Sequence, residues 1–192
     1  MRLAWLAVFF VTMSAAAAHA VVAGELLSRV KEKYRDLNML AADVDQTKTS
    51  PYLSRPLKSV VRMALRSGIV TWETVSPVPS MITLTNGQIV VTGAGQTQRT
   101  LPRSPQADAL LTLIEGLVRA DWLGLERDCV ITATGALTLQ AVPRPASKLV
   151  FLKNLEFRFH DSLKLERITI TTADETTELA FRTLTLGGMD GK

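Results

Sequence analysis

The feature that most constrains this fold is a stretch, residues 59–86, in which apolar and polar side chains alternate between turn-forming residues. Alternation with a period of two is typical of β-strands, because successive side chains point to opposite faces of a sheet. It predicts a long strand with a kink at Arg66-Ser67-Gly68, a turn at 76–79, a second strand at 80–85, a turn at Asn86-Gly87 and a third strand from Ile89. We therefore expect the chain to be organised around an antiparallel meander.

Strand patterns continue on both sides of this meander. Further strands are predicted at 40–48, 129–132, 136–142, 155–159, 165–171 and 178–182. Thr134-Gly135 is the expected turn of a hairpin within this set, whereas residues 93–103 are polar and predict a loop. The sum is a mainly antiparallel α+β fold with no internal repeat.

Two stretches have the three- and four-residue spacing of an amphipathic helix. The first covers residues 24–35 and has the apolar stripe Leu26, Leu27, Val30 and Tyr34. The second begins at Ser104-Pro105, an N-cap followed by a first-turn proline, and continues to Ala120. Its wide apolar face is formed by Leu110, Leu111, Leu113, Ile114, Leu117 and Val118. Periodicity alone does not distinguish a helix packed on the core from a lid over a hydrophobic cavity.

The N-terminus has the features of a secretory signal peptide. A charge at Arg2 precedes an apolar run over residues 3–13, and Ala18-His19-Ala20 forms an A-x-A cleavage pattern. The run is short for a membrane-spanning helix, so an uncleaved anchor is the less favoured alternative. We expect residues 1–20 to be removed, leaving a single exported domain over residues 21–192.

The remaining composition argues against several classes of function. The net charge is +4, but the cations are scattered and only 6% of residues are aromatic, which disfavours nucleic-acid binding. Cys129 is the only cysteine, so no intrachain disulfide is possible, and its apolar neighbours predict a buried, unreactive thiol. Beyond the signal peptide His160 is the only histidine, in a strand-to-turn position typical of a solvated side chain.

We find no nucleophile motif beside His160, no zinc-ligand spacing, no phosphate-binding glycine loop and no paired carboxylates. The chain is therefore predicted not to be an enzyme and to need neither a metal nor a cofactor. A sheet covered by amphipathic helices can instead enclose a hydrophobic ligand, since each buried methylene contributes about 0.8 kcal/mol.

Several motifs, taken together in order and spacing, resemble those of LolA-type periplasmic carriers of outer-membrane lipoproteins. They are Leu65–Glu73 with Trp72, then Pro77, then Ile82–Gln88 ending in Asn-Gly, together with Gln46, Ala120-Asp121-Trp122 and the late meander from Phe157 to Phe181. The chain departs from the family at Ser67, where proline is usual, at Val44-Asp45, and in its low aromatic content.

The resemblance implies an incomplete β-barrel covered by a helical lid, as in LolA and LolB. It implies a monomeric periplasmic carrier that takes an acylated protein from an inner-membrane release complex to an outer-membrane acceptor. Arg66 matches the arginine that holds the lid closed, and Trp72 matches a tryptophan of the cavity region. The expected lipid-binding and lid residues are Val61, Met63, Leu65, Ile82, Leu84, Phe157, Phe159, Leu110, Leu113, Ile114 and Leu117.

Three alternatives remain open on the sequence. The cargo could be a non-protein lipid or a polyene-type envelope product. The same fold with a filled interior could serve as a structural or regulatory adaptor. A hydrolase using His160 is the least supported, because no nucleophile accompanies that histidine.

Overall fold

The computed structural model describes residues 24–35, 37, 39–67, 69–85, 88–93, 98–100 and 122–187. Helix α1 spans residues 24–34, and helix α2 spans Trp122–Asp128. The strands of this part of the chain are β1 Met39–Thr49, β2 Leu57–Arg66, β3 Ile69–Ser76, β4 Ser80–Thr85, β5 Gln88–Thr92, β6 Gln98–Thr100, β7 Cys129–Gly135, β8 Thr138–Pro143, β9 Leu152–Phe159, β10 Leu165–Thr172 and β11 Thr176–Gly187. The predicted signal peptide, the Asn86-Gly87 turn and the predicted helix over 104–120 lie outside the described residues.

All eleven strands of the described chain form one sheet in the order β6-β5-β4-β3-β2-β1-β11-β10-β9-β8-β7. Every pairing in it is antiparallel. The first and last strands meet in the middle, where β1 pairs with both β2 and β11. The edge strands β6 and β7 are not paired with each other within this part of the chain, so the sheet is unclosed. The predicted mainly antiparallel, unclosed fold is confirmed.

One face of the sheet is mainly apolar, and we call it the inner face. Residues directly opposite each other on neighbouring strands point to the same side, so paired apolar residues define a continuous surface. One row crosses six strands and consists of Val91, Ile82, Trp72, Met63, Ala42 and Leu184. The outer face carries charge pairs, such as Arg167 with Glu178 at 3.0 Å and Arg182 with Asp45 at 3.4 Å.

The predicted long, kinked strand is wrong: the chain reverses direction there. Arg66, the last residue of β2, lies opposite Ile69, the first residue of β3. Ser67 has a φ of 51°, in the left-handed region that tight hairpin turns require. The alternation of apolar and polar residues does not distinguish a kinked strand from a reversal at this point. A bulge in one long strand and a two-residue turn between two strands would both place Val70 on the same face as Leu65.

Smaller differences from the sequence-based expectations concern two short elements and one turn. Strand β6 lies within the predicted 93–103 loop, and helix α2 had no predicted counterpart. In the β7–β8 hairpin the chain turns at residues 136–137 rather than at Thr134-Gly135. Within the described residues no helix has the length and apolarity needed to cross a membrane.

Strand β11 extends five residues beyond the predicted end. The prediction stops early because a bulge interrupts the alternation of apolar and polar residues in this strand. Asp43 lies opposite Thr183 but Val44 lies opposite Phe181, so Arg182 has no partner of its own. The extra residue reverses the phase of the strand, and odd-numbered inward side chains such as Phe181 give way to even-numbered ones such as Leu184. The broken alternation therefore marks a bulge within a continuous strand.

Helix α1 is held against the inner core at one end of β10. Its stripe residues Leu26, Val30 and Tyr34 are buried in the main hydrophobic cluster, as predicted. The Tyr34 hydroxyl donates to the Leu163 carbonyl and accepts from the Leu165 amide, both at 3.1 Å. These two bonds tie the helix to the turn that starts β10.

Replacing Tyr34 with phenylalanine is expected to lower the free energy of unfolding by about 1–3 kcal/mol, because a buried carbonyl and a half-buried amide lose their partner. Burial raises the pKa of Tyr34 to about 12, and the hydrogen bond from Leu165 opposes this. The neutral phenol is thus favoured in the folded state. Its contribution is complete below pH 10, the ordinary value, and is lost as the pH rises towards 12.

Urea unfolding of the wild type and Tyr34→Phe across this alkaline range measures the effect. The wild type should lose up to about 3 kcal/mol more than the variant does. Parallel curves for the two proteins would contradict a buried, perturbed Tyr34. Cys129 titrates in the same direction, so part of the alkaline loss should persist in the variant.

Candidate functional site

The residues predicted to line a lipid site lie on one face. Val61, Met63 and Leu65 of β2, Leu84 of β4, and Phe157 and Phe159 of β9 are all buried on the inner face. Ile82 and Trp72 lie on the same face and are half-buried. The sequence could not say which strand faces point inward, and the cross-strand pairing supplies that information.

The β7–β10 half of the inner face is closely packed. Leu139, Leu155 and Ile168 have no exposed surface, Phe157 is 1% exposed, and Leu179 on the adjoining strand β11 is also fully buried. Trp122 of α2 lies over this half, with its ring 5.1 Å from Phe157 in an edge-on arrangement and 6.1 Å from Phe159. An ion pair between Lys31 of α1 and Glu126 of α2 links the two helices. The centre of this half behaves as an ordinary protein core, whereas Ile131 and Ile170 on the same half are only partly buried.

The β3–β5 half is less completely covered. Trp72, Ile82 and Val91 lie side by side on three neighbouring strands, and each is only half-buried. We call these three residues the Trp72 row. Val70 and Leu84, the next inward residues on β3 and β4, are fully buried. A partly accessible apolar strip therefore lies next to a fully buried core. An aliphatic ligand could pack on this strip and continue the apolar surface of the core.

The other predicted site residues do not join this row within the described structure. Arg66 is exposed at the β2–β3 turn, and strand alternation places it on the face opposite Leu65. The helix carrying Leu110, Leu113, Ile114 and Leu117 lies outside the described residues, as does any contact it makes with Arg66. The lid role of these residues stays a prediction.

Cys129 and His160 have the environments that the sequence indicates. Cys129 is 1% exposed. Burial raises the pKa of its thiol to about 11, the Asp128 carboxylate adds to this, and Arg144 opposes it, so the thiol is protonated at neutral pH. His160 is exposed in the β9–β10 turn, where its Nδ1 lies 3.4 Å from the amide and hydroxyl of Ser162. Among the described residues no group of His, Cys, Asp and Glu could hold a metal.

The outer face has a groove of about 410 Å³ over the central strands. Small residues such as Ala41 and Ala64 form its floor, and Arg62 crosses it towards Asp43 at 3.8 Å and Glu73 at 3.5 Å. Arg62 offsets only one of these two carboxylates, and the groove is open to solvent. The groove is on the other side of the sheet from the inner face. Of the residues that line it, Met63 alone is also a predicted lipid-site residue.

No family model and no curated protein matches this sequence. Solved structures similar to the chain include a LolA superfamily protein from Nitrosomonas europaea, at 12% identity and a TM-score of 0.47, covering 87% of this chain and 94% of that one. A domain described as an outer membrane lipoprotein-sorting protein from Vibrio parahaemolyticus aligns at 9% identity and a TM-score of 0.49, covering 88% and 92%. Lipoprotein LppX from Mycobacterium tuberculosis aligns at 14% and 0.44, covering 82% and 93%. All three TM-scores are below 0.5.

Proposed function

We propose that this chain is a divergent LolA-type carrier that binds acyl chains on the inner face of its unclosed sheet. Its cargo is a lipoprotein or a related lipid, which it moves through the periplasm from the inner to the outer membrane. The protein performs no catalytic step in this role. The proposal combines the sequence resemblance with one structural observation, the half-buried Trp72 row beside a fully buried core.

The Trp72 row supports an aliphatic ligand because its surface is mainly hydrocarbon, and the indole N–H of Trp72 is the one polar group that its three side chains carry. Ile82 and Val91 present only hydrocarbon, and Trp72 adds a large aromatic surface. A sixteen-carbon chain that covered such a surface would gain roughly ten kcal/mol from its buried methylenes, before the cost of ordering it. A partly accessible strip lets the ligand leave again, as a carrier requires.

Arg66 and the helix over residues 104–120 would supply the gate. In this proposal Arg66, which is exposed at the β2–β3 turn, reaches past the end of the strands to backbone carbonyls of the lid and favours the closed state. Cargo that binds the open state more tightly than the closed state shifts the population towards the open state, and the size of the shift is set by the difference between the two affinities.

The decisive experiment is to purify the chain from a bacterial envelope and identify bound material by mass spectrometry. We expect an acylated polypeptide or a free lipid in the wild type. Ile82→Glu should lower loading at least about tenfold, because a carboxylate placed on the inner face must be desolvated or must displace the ligand. Ile69→Glu is the matched control, since Ile69 is already exposed on the outer face of the adjacent strand, and loading should be unchanged.

Circular dichroism and thermal unfolding show whether Ile82→Glu remains folded, and Trp72→Ala provides a second, uncharged variant of the same row. The nature of the bound material separates the alternatives. An acylated polypeptide supports lipoprotein transport, whereas a free lipid supports carriage of a non-protein lipid. A wild-type protein that is always empty and takes up no acylated peptide would contradict a carrier and favour an adaptor with a filled interior.

A further inference from the structure

Among the described residues, several of the most exposed large apolar side chains lie at one end of the sheet. In an antiparallel sheet alternate connections lie at the same end, and here Thr49 at the end of β1 is opposite Thr176 at the start of β11. Likewise, Thr172 at the end of β10 is opposite Leu152 at the start of β9. This end therefore carries the connections at residues 50–56, 77–79, 144–151 and 173–175, and we call it the loop end.

Large apolar side chains protrude from three of these four connections. Tyr52 is 80% exposed, Val150 is 64% exposed and Val78 is 63% exposed. Leu57 and Phe151 add to the same end. Ile69 is 42% exposed at the opposite end of the strands, and Leu123, on helix α2, is 73% exposed. Such a concentration is unusual for side chains that only meet water, and marks an interaction surface.

The loop end also carries positive charge. Its exposed cations are Arg55, Lys58, Arg144, Lys148 and Lys153. Within the described residues none of the five forms an ion pair, although the Lys153 ammonium donates to the Ala173 carbonyl at 3.3 Å. Nearby acidic residues offset only part of this positive charge. Glu175 already pairs with Lys48 at 3.0 Å, and Asp128 lies 3.7 Å from Arg127. Asp174 is then the remaining carboxylate near the five cations.

We propose that the loop end docks on an anionic lipid membrane surface. Tyr52, Val150 and Phe151 would enter the interface between headgroups and acyl chains, while Lys148 and its neighbouring cations would contact lipid phosphates. A protein partner fits less well, since lysine is depleted from protein interfaces and three of the five cations are lysines. This inference goes beyond the proposed carriage of cargo and does not depend on which ligand the inner face binds.

Vesicle flotation of the processed protein tests the charge component. The protein should float with vesicles of phosphatidylcholine and phosphatidylglycerol, far less with phosphatidylcholine alone, and less as salt is raised. Lys148→Glu should lower the partition coefficient about fivefold or more, from the contribution of a single cation near an anionic surface. Lys164→Glu is the matched control: it makes the same change in net charge on an exposed side chain at the opposite end of β9, about 25 Å away. It should leave binding unchanged.

A second pair of variants tests the apolar component. Tyr52→Ser with Val150→Ser should weaken flotation, whereas Ile69→Ser at the opposite end should not. Equal effects of Lys148→Glu and Lys164→Glu, or equal binding to both kinds of vesicle, would overturn the proposal. A wild-type protein that ignores every vesicle but is captured on an envelope protein through Tyr52 and Val150 would also overturn it, in favour of a protein partner.

The two proposals fail separately. Ile82→Glu should lose cargo and keep flotation, whereas Lys148→Glu should lose flotation and keep cargo. A protein that floats but never carries lipid contradicts the carrier and leaves the docking surface standing. A loaded protein that does not float contradicts only the docking surface.

Discussion

A chain that ends at Asp174 should show no cooperative unfolding transition. Although β11 is the last strand, it lies in the middle of the sheet, between β1 and β10. It pairs with β1 along its full length, from Thr176 opposite Thr49 to Gly187 opposite Met39, and with five residues of β10. Its removal would divide one sheet into two halves, each with a new unpaired edge and an uncovered apolar face. The loss exceeds the 5–15 kcal/mol that stabilises a typical domain.

Urea titration followed by far-ultraviolet circular dichroism measures this effect. The matched control ends at Gly187 and lacks residues 188–192 only, so it keeps every strand pair and should unfold like the full chain. A cooperative transition in the protein ending at Asp174 would mean that the β6–β1 half folds without its central partner. That outcome would contradict the role assigned to the β1–β11 pairing.

The second large effect is expected from Phe157→Ala, which should lower the free energy of unfolding by about 3–5 kcal/mol. Phe157 is 1% exposed and lies between Leu139 on β8 and Ile168 on β10. The edge-on contact with Trp122 at 5.1 Å adds an aromatic interaction that alanine cannot make. The cavity would adjoin strands that are hydrogen bonded on both sides, so it would close only in part.

Phe151→Ala makes the same change six residues earlier in the chain, at a side chain that is 37% exposed in the β8–β9 connection. Its cost should be smaller, about 1–2 kcal/mol, since this side chain is only partly covered and less packing is lost there. Chemical unfolding of both variants gives the comparison. Similar losses for Phe151 and Phe157 would show that the β7–β10 half is not the dry core described above.

The described inner face has two parts with different roles in the proposed carrier. The β7–β10 half, centred on Phe157 and covered by Trp122, stabilises the fold. The half-buried Trp72 row would receive the ligand. The sequence predicts Phe157 and Phe159 as lining residues together with Ile82, because alternation identifies apolar positions without showing what covers them. A ligand-contact role for Phe157 and Phe159 is a prediction that a bound structure would test.

Local patterns in the sequence were sufficient for most of the elements. The stripe of Leu26, Val30 and Tyr34 predicts a helix with one buried side, and the structure buries those three residues. Alternation predicts β4 at its observed limits and β1 to within a residue of them. These features depend on neighbours a few positions apart, so a single stretch of chain contains the information they need.

The pairing of β1 with β11, the inward direction of each strand and the position of the exposed side chains depend on contacts between distant residues. Alternation states that two faces of a strand differ, but the face that meets the core is settled only when Val44 lies opposite both Val61 and Phe181. The reversal at Ser67 and the bulge at Arg182 change the phase of a strand without a distinctive residue pattern. The loop end exists for the same reason, since Tyr52 and Val150 are far apart in the chain and share one end only because the strands between them pair antiparallel.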